Sequence, residues 1–223
     1  MKIRVFLIST VLLLGGCFGM NSDIDVASGT NVERGLGTVN GSVRIGHDSS
    51  IDGDVESVNG SIDVGANTSV AGHVTTVNGK ITFGAGASAE NIEAVNGSVD
   101  IGEDARIDGN VGIVNGLVVL QAGGTVGGEL ASVNGPIRIE GGTAGSVKNH
   151  NGGIVLEKGS RVLGELRVEK SRFGKADKPV TVIIHADCEV GGPLVFERPV
   201  NLQIHESATV GEIQGAEPEY FND

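Results

Sequence analysis

The chain has 223 residues and a formal net charge of −12; 37 positions are glycine, aromatics supply 3% and tryptophan is absent. Glycine at more than twice its average share of roughly 7% excludes long helices, while a mean hydropathy of +0.09 with 20% charged residues excludes a disordered linker. The acidic balance excludes a nucleic-acid partner, because that affinity comes from clustered Lys and Arg.

Residues 1–16 open on Met1-Lys2-Ile3-Arg4 and run through an apolar stretch from Val5 to Leu14. That stretch is too short for the ~20 residues that span a bilayer as a helix, and it predicts a removable secretory signal. Leu14-Gly15-Gly16-Cys17 resembles the bacterial lipoprotein signal box, in which small residues precede a cysteine. The resemblance implies cleavage before Cys17 and diacylation of its thiol, giving a membrane anchor at about 0.8 kcal/mol per buried CH₂. Phe18 stands where aspartate would favour inner-membrane retention in many enteric bacteria, so the expected address is the cell envelope, on the outer-membrane or periplasmic side. Residues 17–23 then form the lipidated cysteine and a short tether.

Repetition dominates the chain after Met20. Val-Asn-Gly occurs at Val39, Val58, Val77, Val95, Val114 and Val133, and His150-Asn151-Gly152 continues it, with steps of 19, 19, 18, 19, 19 and 17 residues. A period this short without a helical pattern indicates a solenoid with one coil per repeat. Apolar-x-apolar pairs mark ten coils, from Ile24/Val26 through Val43/Ile45 and Ile62/Val64 to Val182/Ile184 and Leu202/Ile204. Six residues after most pairs comes another apolar residue (Ile51, Val70, Ile107), and four later a third (Val55, Val74, Val111). Each coil therefore holds three short strands with alternate residues inward. The expected fold is all-β, a single-stranded β-helix of about ten triangular coils of 17–20 residues over 24–215, roughly 48 Å long at the strand spacing.

Residues 170–179, Lys-Ser-Arg-Phe-Gly-Lys-Ala-Asp-Lys-Pro, interrupt the rhythm and predict a basic loop insertion. Residues 216–223, with Pro218, three carboxylates and Tyr220-Phe221, predict an acidic C-terminal tail that lies over the last coil as a lid.

Ile45-Gly46-His47-Asp48-Ser49-Ser50-Ile51-Asp52-Gly53-Asp54-Val55 and Ile101-Gly102-Glu103-Asp104-Ala105-Arg106-Ile107-Asp108-Gly109-Asn110-Val111 resemble the coils of bactofilins, polymer-forming β-helix proteins. The resemblance implies a right-handed coil, which the residues alone leave open, and end-to-end self-association. The same segments are similar to β-solenoid adhesins of bacterial envelopes. They also match the six-residue units of left-handed β-helix acyltransferases, but a 19-residue coil is not three sixes, and no long loop carries a histidine base.

The most regular polar feature is the column Asn40, Asn59, Asn78, Asn96, Asn115, Asn134 and Asn151. Asn-Gly suits a corner because both residues tolerate positive φ, and stacked amides bond to one another at the coil spacing. The column therefore reads as a structural ladder. Glu140, Glu157, His185 and His205 fall in one outward file that could ligate a transition metal, although a mixed solvated file is the commoner case. His47, His73 and His150 read as surface residues. Cys188 stands where other coils place Thr30, Ser49, Thr68, Ala87, Ala105 and Ser160, and so reads as a small buried free thiol. Nothing rises to a catalytic constellation, a metal site or a cofactor site. The reading is a lipid-anchored structural or interaction protein of the envelope, not an enzyme, with membrane, self-association and a cell-wall or surface glycan as partners. The alternative, a glycan-acting enzyme or binder on the β-helix face, wants exposed aromatic platforms that one Tyr, no Trp and six Phe hardly supply.

Overall fold

In the computed structural model, which describes residues 17–170 and 178–222, the chain winds into an all-β solenoid of about ten coils without a helix among the described residues. The expected signal 1–16 and most of the insertion 170–179 lie outside the described residues. Stacked strands pair in parallel along three faces. The first face runs from Ile24–Val26 through Val43–Ile45, Ile62–Val64, Ile81–Phe83 and so on to Val200–His205 and Pro218–Phe221. The second consists of two-residue strands such as Ser50–Ile51, Ser69–Val70 and Arg106–Ile107, and the third of longer ones such as Val55–Asn59, His73–Asn78 and Asn91–Asn96. Thr125–Asn134 and Thr143–Asn149 run unbroken through the second and third faces and join them into one sheet.

Alternation decides what is buried. Val43 and Ile45, Ile62 and Val64, Ile81 and Phe83 face the core, and so do Ile51, Val70 and Ile107 from the second face and Val55, Val74 and Val111 from the third. Volume is balanced within coils: Phe83 shares its coil with Ala89 and Ala94, both buried, where the neighbouring coils carry Val70 and Ile107, and Thr76 and Ile113. The valine of each Val-Asn-Gly repeat points outward and stays half-buried on the third face, with Val114 the most open at 38% exposed.

Two kinds of corner explain the sequence. Between the first and second faces one residue adopts the left-handed conformation in coil after coil: Asp48, Asn67, Asp104 and Asp187 at φ between 54° and 57°, and Gly29, Gly86 and Gly123 near 70°. Only Asx and Gly enter that region cheaply, hence their alternation in one column. The Val-Asn-Gly corner works otherwise. Asn40 to Asn151 do not take positive φ, contrary to the expectation from the Asn-Gly pair. Close approach is the constraint there: a Cβ on Gly60 would lie 1.8 Å from the carbonyl oxygen of Gly41, the equivalent corner one coil below. The 17-residue step between Asn134 and Asn151 arises because the pairing of Thr125–Asn134 with Thr143–Asn149 shifts between Val126 and Glu129, and Gly141-Gly142 turns a tighter corner.

Both termini differ from expectation. Cys17–Gly19, read as tether, is a strand paired with Leu36–Asn40, Cys17 opposite Leu36. Pro218–Phe221, read as a lid, continues the first face by pairing with Val200–His205. Each end of the rod thus has one extra strand on a single face, because a backbone with an open edge beside it gains a full ladder of hydrogen bonds by lying parallel to it.

Candidate functional site

The Val-Asn-Gly corner carries a continuous side-chain ladder among the described residues. Each asparagine donates Nδ2–H to the Oδ1 of the one below: Asn151 to Asn134 at 2.8 Å, Asn134 to Asn115 at 3.0 Å, Asn115 to Asn96 at 2.8 Å, Asn96 to Asn78 at 2.9 Å, Asn78 to Asn59 at 2.8 Å and Asn59 to Asn40 at 2.9 Å. Asn40 donates in turn to Asn21 at 2.6 Å, a base rung outside the predicted column. The chain of amides runs one way, so each bond polarises the next.

The Arg198 guanidinium meets the other end. Its Nη1 donates to Asn151 Oδ1 at 2.9 Å and to the His150 carbonyl at 2.6 Å, and Nη2 donates to the Lys178 carbonyl at 2.8 Å. Arg198 is 8% exposed. A cation at the acceptor end of an amide chain lies where the chain's aligned dipoles are negative, and it ties the ladder to the chain returning from the insertion. Periodicity has no slot for Arg198, which follows the irregular segment and recurs nowhere. Asn21, by contrast, stands 19 residues before Asn40 and was legible from the period.

Behind the ladder, inward hydroxyls bind the corner carbonyls: Thr38 Oγ1 donates to Ser22 O at 3.0 Å, Ser57 Oγ to Gly41 O at 3.0 Å and Thr76 Oγ1 to Gly60 O at 3.1 Å. Asn149 Nδ2 does the same to Gly135 O at 2.9 Å. Outer amides and inner hydroxyls together satisfy a turn that is otherwise rich in unpaired main-chain groups. Asn96→Ala is expected to lower stability by about 1–2 kcal/mol, since it strips a donor and an acceptor from the middle of the chain. A denaturation midpoint equal to that of the unaltered protein would show that the bonds do not cooperate.

The histidine file takes a different form from the metal-ligand file considered from sequence. Glu140 and Glu157 are adjacent on paired strands, and His185 Nε2 sits 3.6 Å from Glu157 Oε2. His205, however, is 9% exposed, and its Nδ1 accepts from the Ser207 main-chain N–H at 3.1 Å. Phe221 stands edge-on to both imidazoles, with ring centroids 5.9 Å from His185 and 5.3 Å from His205. The upper file is thus an aromatic stack closing the C-terminal end, and among the described residues no group of three or more His, Cys, Asp or Glu gathers to hold a metal. His150 is not a surface residue either: its Nε2 lies 2.8 Å from Glu169 Oε2, both side chains 15% exposed. Beside it Lys148 pairs with Glu129 at 3.0 Å and Glu169 at 3.6 Å. Burial there pulls the Lys148 ammonium toward neutrality, and the two carboxylates more than offset it, so its pKa is raised.

Cys188 is buried and free, in a file of side chains that donate to carbonyls of the preceding coil. Its Sγ lies 3.0 Å from Glu157 O, as Ser160 Oγ lies 2.7 Å from Ile139 O and Thr68 Oγ1 2.8 Å from Gly46 O. Burial pushes the thiol pKa up, so little thiolate forms at neutral pH. Cys188→Ser should change stability by less than about 1 kcal/mol, because serine makes the same bond at equivalent sites. The native thiol should alkylate slowly at pH 8 and readily once the chain is unfolded; rapid labelling of folded protein would contradict the packing.

The site offers a stiff, neutral, hydrogen-bonded edge flanked by an outward valine file and ion pairs. Comparison with known proteins found no matching family model, no similar curated protein and no similar solved structure.

Proposed function

We propose that this chain is a lipid-anchored β-solenoid rod of the bacterial cell envelope, acting as a structural or interaction module rather than as an enzyme, with Cys17 carrying the lipid. The observation that carries the reading is the junction of signal and rod. Leu14-Gly15-Gly16-Cys17 meets a strand beginning at Cys17 and already paired with Leu36–Asn40. An acylated Cys17 would hold the rod's N-terminal end against the membrane and leave its three faces free along the length. The rod itself, parallel and laced by the ladder, suits a spacer or scaffold, in keeping with its resemblance to bactofilins and envelope adhesins.

Self-association belongs to this reading through the ends, where, among the described residues, Asn31–Val32 and Thr209–Val210 have a strand on one side only. Acidic groups crowd both ends, Asp23, Asp25 and Glu33 at one and Glu206, Glu212, Glu217 and Glu219 at the other. Pro218, at the start of the last strand, brings no N–H. End-to-end stacking, where it occurs, therefore strengthens with salt.

The test is metabolic labelling with a palmitate analogue and membrane fractionation of the unaltered protein and of Cys17→Ala. Labelling and membrane retention of the former, both lost in the variant, are the expected result. Label or retention that survives in Cys17→Ala overturns the anchor.

A further inference from the structure

Seven Asn-Gly pairs in one chain are seven sites for a known intramolecular reaction, and the geometry of the corner bears on each step of it. The main-chain nitrogen of glycine, deprotonated by hydroxide, attacks Cγ of the preceding asparagine. The Cγ–Nδ2 bond breaks, ammonia leaves and a five-membered imide closes. Water then opens the imide at either carbonyl, leaving aspartate or, with the main chain rerouted through the side chain, isoaspartate. Asn-Gly reacts most readily in flexible chains because glycine puts no side chain in the way.

In the folded rod the three participants are held apart from this path. The leaving nitrogen of Asn96 is bonded to Asn78 Oδ1 at 2.9 Å, and its Oδ1 accepts from Asn115 at 2.8 Å, which fixes the carboxamide on both sides. The attacking nitrogen of Gly97 donates to the Asn115 carbonyl at 3.0 Å. A Cβ on Gly97 would lie 1.9 Å from the Gly79 carbonyl oxygen, so the corners are stacked in direct contact and cannot swing into the imide geometry. The interior corners at Asn59 and Asn78 repeat the arrangement: Gly60 and Gly79 donate to the next coil's asparagine carbonyl at 3.0 and 2.9 Å.

We infer that the Asn-Gly corners are deamidation sites held unreactive by the stacked ladder, and that Asn40-Gly41, beside the open N-terminal end, is where modification enters. Below Asn40 lie Asn21, the base rung of the ladder, Ser22 and the short strand Cys17–Gly19, and they belong to an end whose core residues Ile24, Val26 and Val32 are only partly buried. Among the described residues the strand Asn31–Val32 pairs only upward, with Ser50–Ile51. End coils of a stacked array open at lower cost than interior ones. At the far end Asn151 is not terminal: Arg198 covers it, and the strands Leu166–Val168 and Leu194–Phe196 lie beyond it on the third face. The product damages the structure that prevented it. A carboxylate in place of a ladder amide has no Nδ2–H to donate and sets oxygen against oxygen, and isoaspartate adds a main-chain atom to a coil stacked in register, which loosens the next corner.

The experiment incubates the full chain in mildly alkaline buffer, folded and in urea, and follows each Asn-Gly peptide by mass spectrometry. In urea all seven corners should convert at similar rates. In the folded protein Asn40-Gly41 should convert first, and Asn96-Gly97 about tenfold or more slowly than in urea. Asn21→Ala, which removes the acceptor holding Asn40, should speed conversion at Asn40-Gly41 and leave Asn96-Gly97 unchanged. Folded protein that converts uniformly, or first at an interior corner, overturns the inference. So does an Asn21→Ala protein, folded by its circular dichroism, whose Asn40 rate is unaltered; if that variant does not fold, the order of conversion in the unaltered chain decides.

Discussion

Gly60→Ala should cost the fold about 3 kcal/mol or more, a large effect for a single methyl group. The added Cβ would sit 1.8 Å from the Gly41 carbonyl oxygen and 2.4 Å from its carbonyl carbon, which are main-chain atoms with no rotamer to give way. Relief requires the two coils to separate at the corner. That would stretch the Asn59 to Asn40 bond of 2.9 Å and the Ser57 Oγ–H bond of 3.0 Å to the Gly41 carbonyl. Conformational preference is not the cause, since Gly60 does not take positive φ. The matched control is Gly112→Ala on an outward position of the third face, where a Cβ meets nothing within 4 Å. That substitution should be neutral or stabilise by up to about 1 kcal/mol, because it restricts the unfolded chain and suits a strand. Chemical denaturation of both variants checks the pair. Equal midpoints would mean that the coils are not in contact at the corner.

The contrast between these glycines marks how far the sequence can be read. Period and alternation make the coils legible, because a residue one place out of step would carry its apolar neighbours to the wrong side of the wall. The same logic locates Cys188 among Ser49, Thr68 and Ser160, all buried in the structure. Periodicity says which residues are equivalent, however, and not why. It assigns the Val-Asn-Gly glycine to a turn without revealing that a carbonyl from the preceding coil fills the place of its side chain. Contacts that occur once are beyond it altogether. Phe221 reaches the imidazoles of His185 and His205 only because Pro218–Phe221 adds a strand where composition suggests a tail. His150 replaces a valine of the repeat and becomes half-buried against Glu169, in a part of the rod where the coil has lost two residues relative to its neighbours.

Arg198→Met is expected to destabilise by about 2–4 kcal/mol, second only to the corner clash. The thioether keeps much of the aliphatic bulk, so the loss is one of hydrogen bonding. Asn151 Oδ1 and the carbonyls of His150 and Lys178 all give up a charged donor in a setting where the guanidinium is 8% exposed. Because the guanidinium touches the ladder only at its upper end, the effect should couple to position along it. A double-mutant cycle with Asn151→Ala should return about 1 kcal/mol or more of interaction energy, whereas the same cycle with Asn40→Ala, several coils away, should return nothing beyond error. Coupling at Asn151 alone would make Arg198 a local cap whose work is to fix the chain after the insertion. Coupling at both would mean that polarisation runs the length of the amide chain, so that the ladder behaves as one hydrogen-bonded unit. If Arg198→Met leaves the midpoint within about 0.5 kcal/mol, the three carbonyl oxygens are being satisfied by water and the guanidinium is not what closes the ladder.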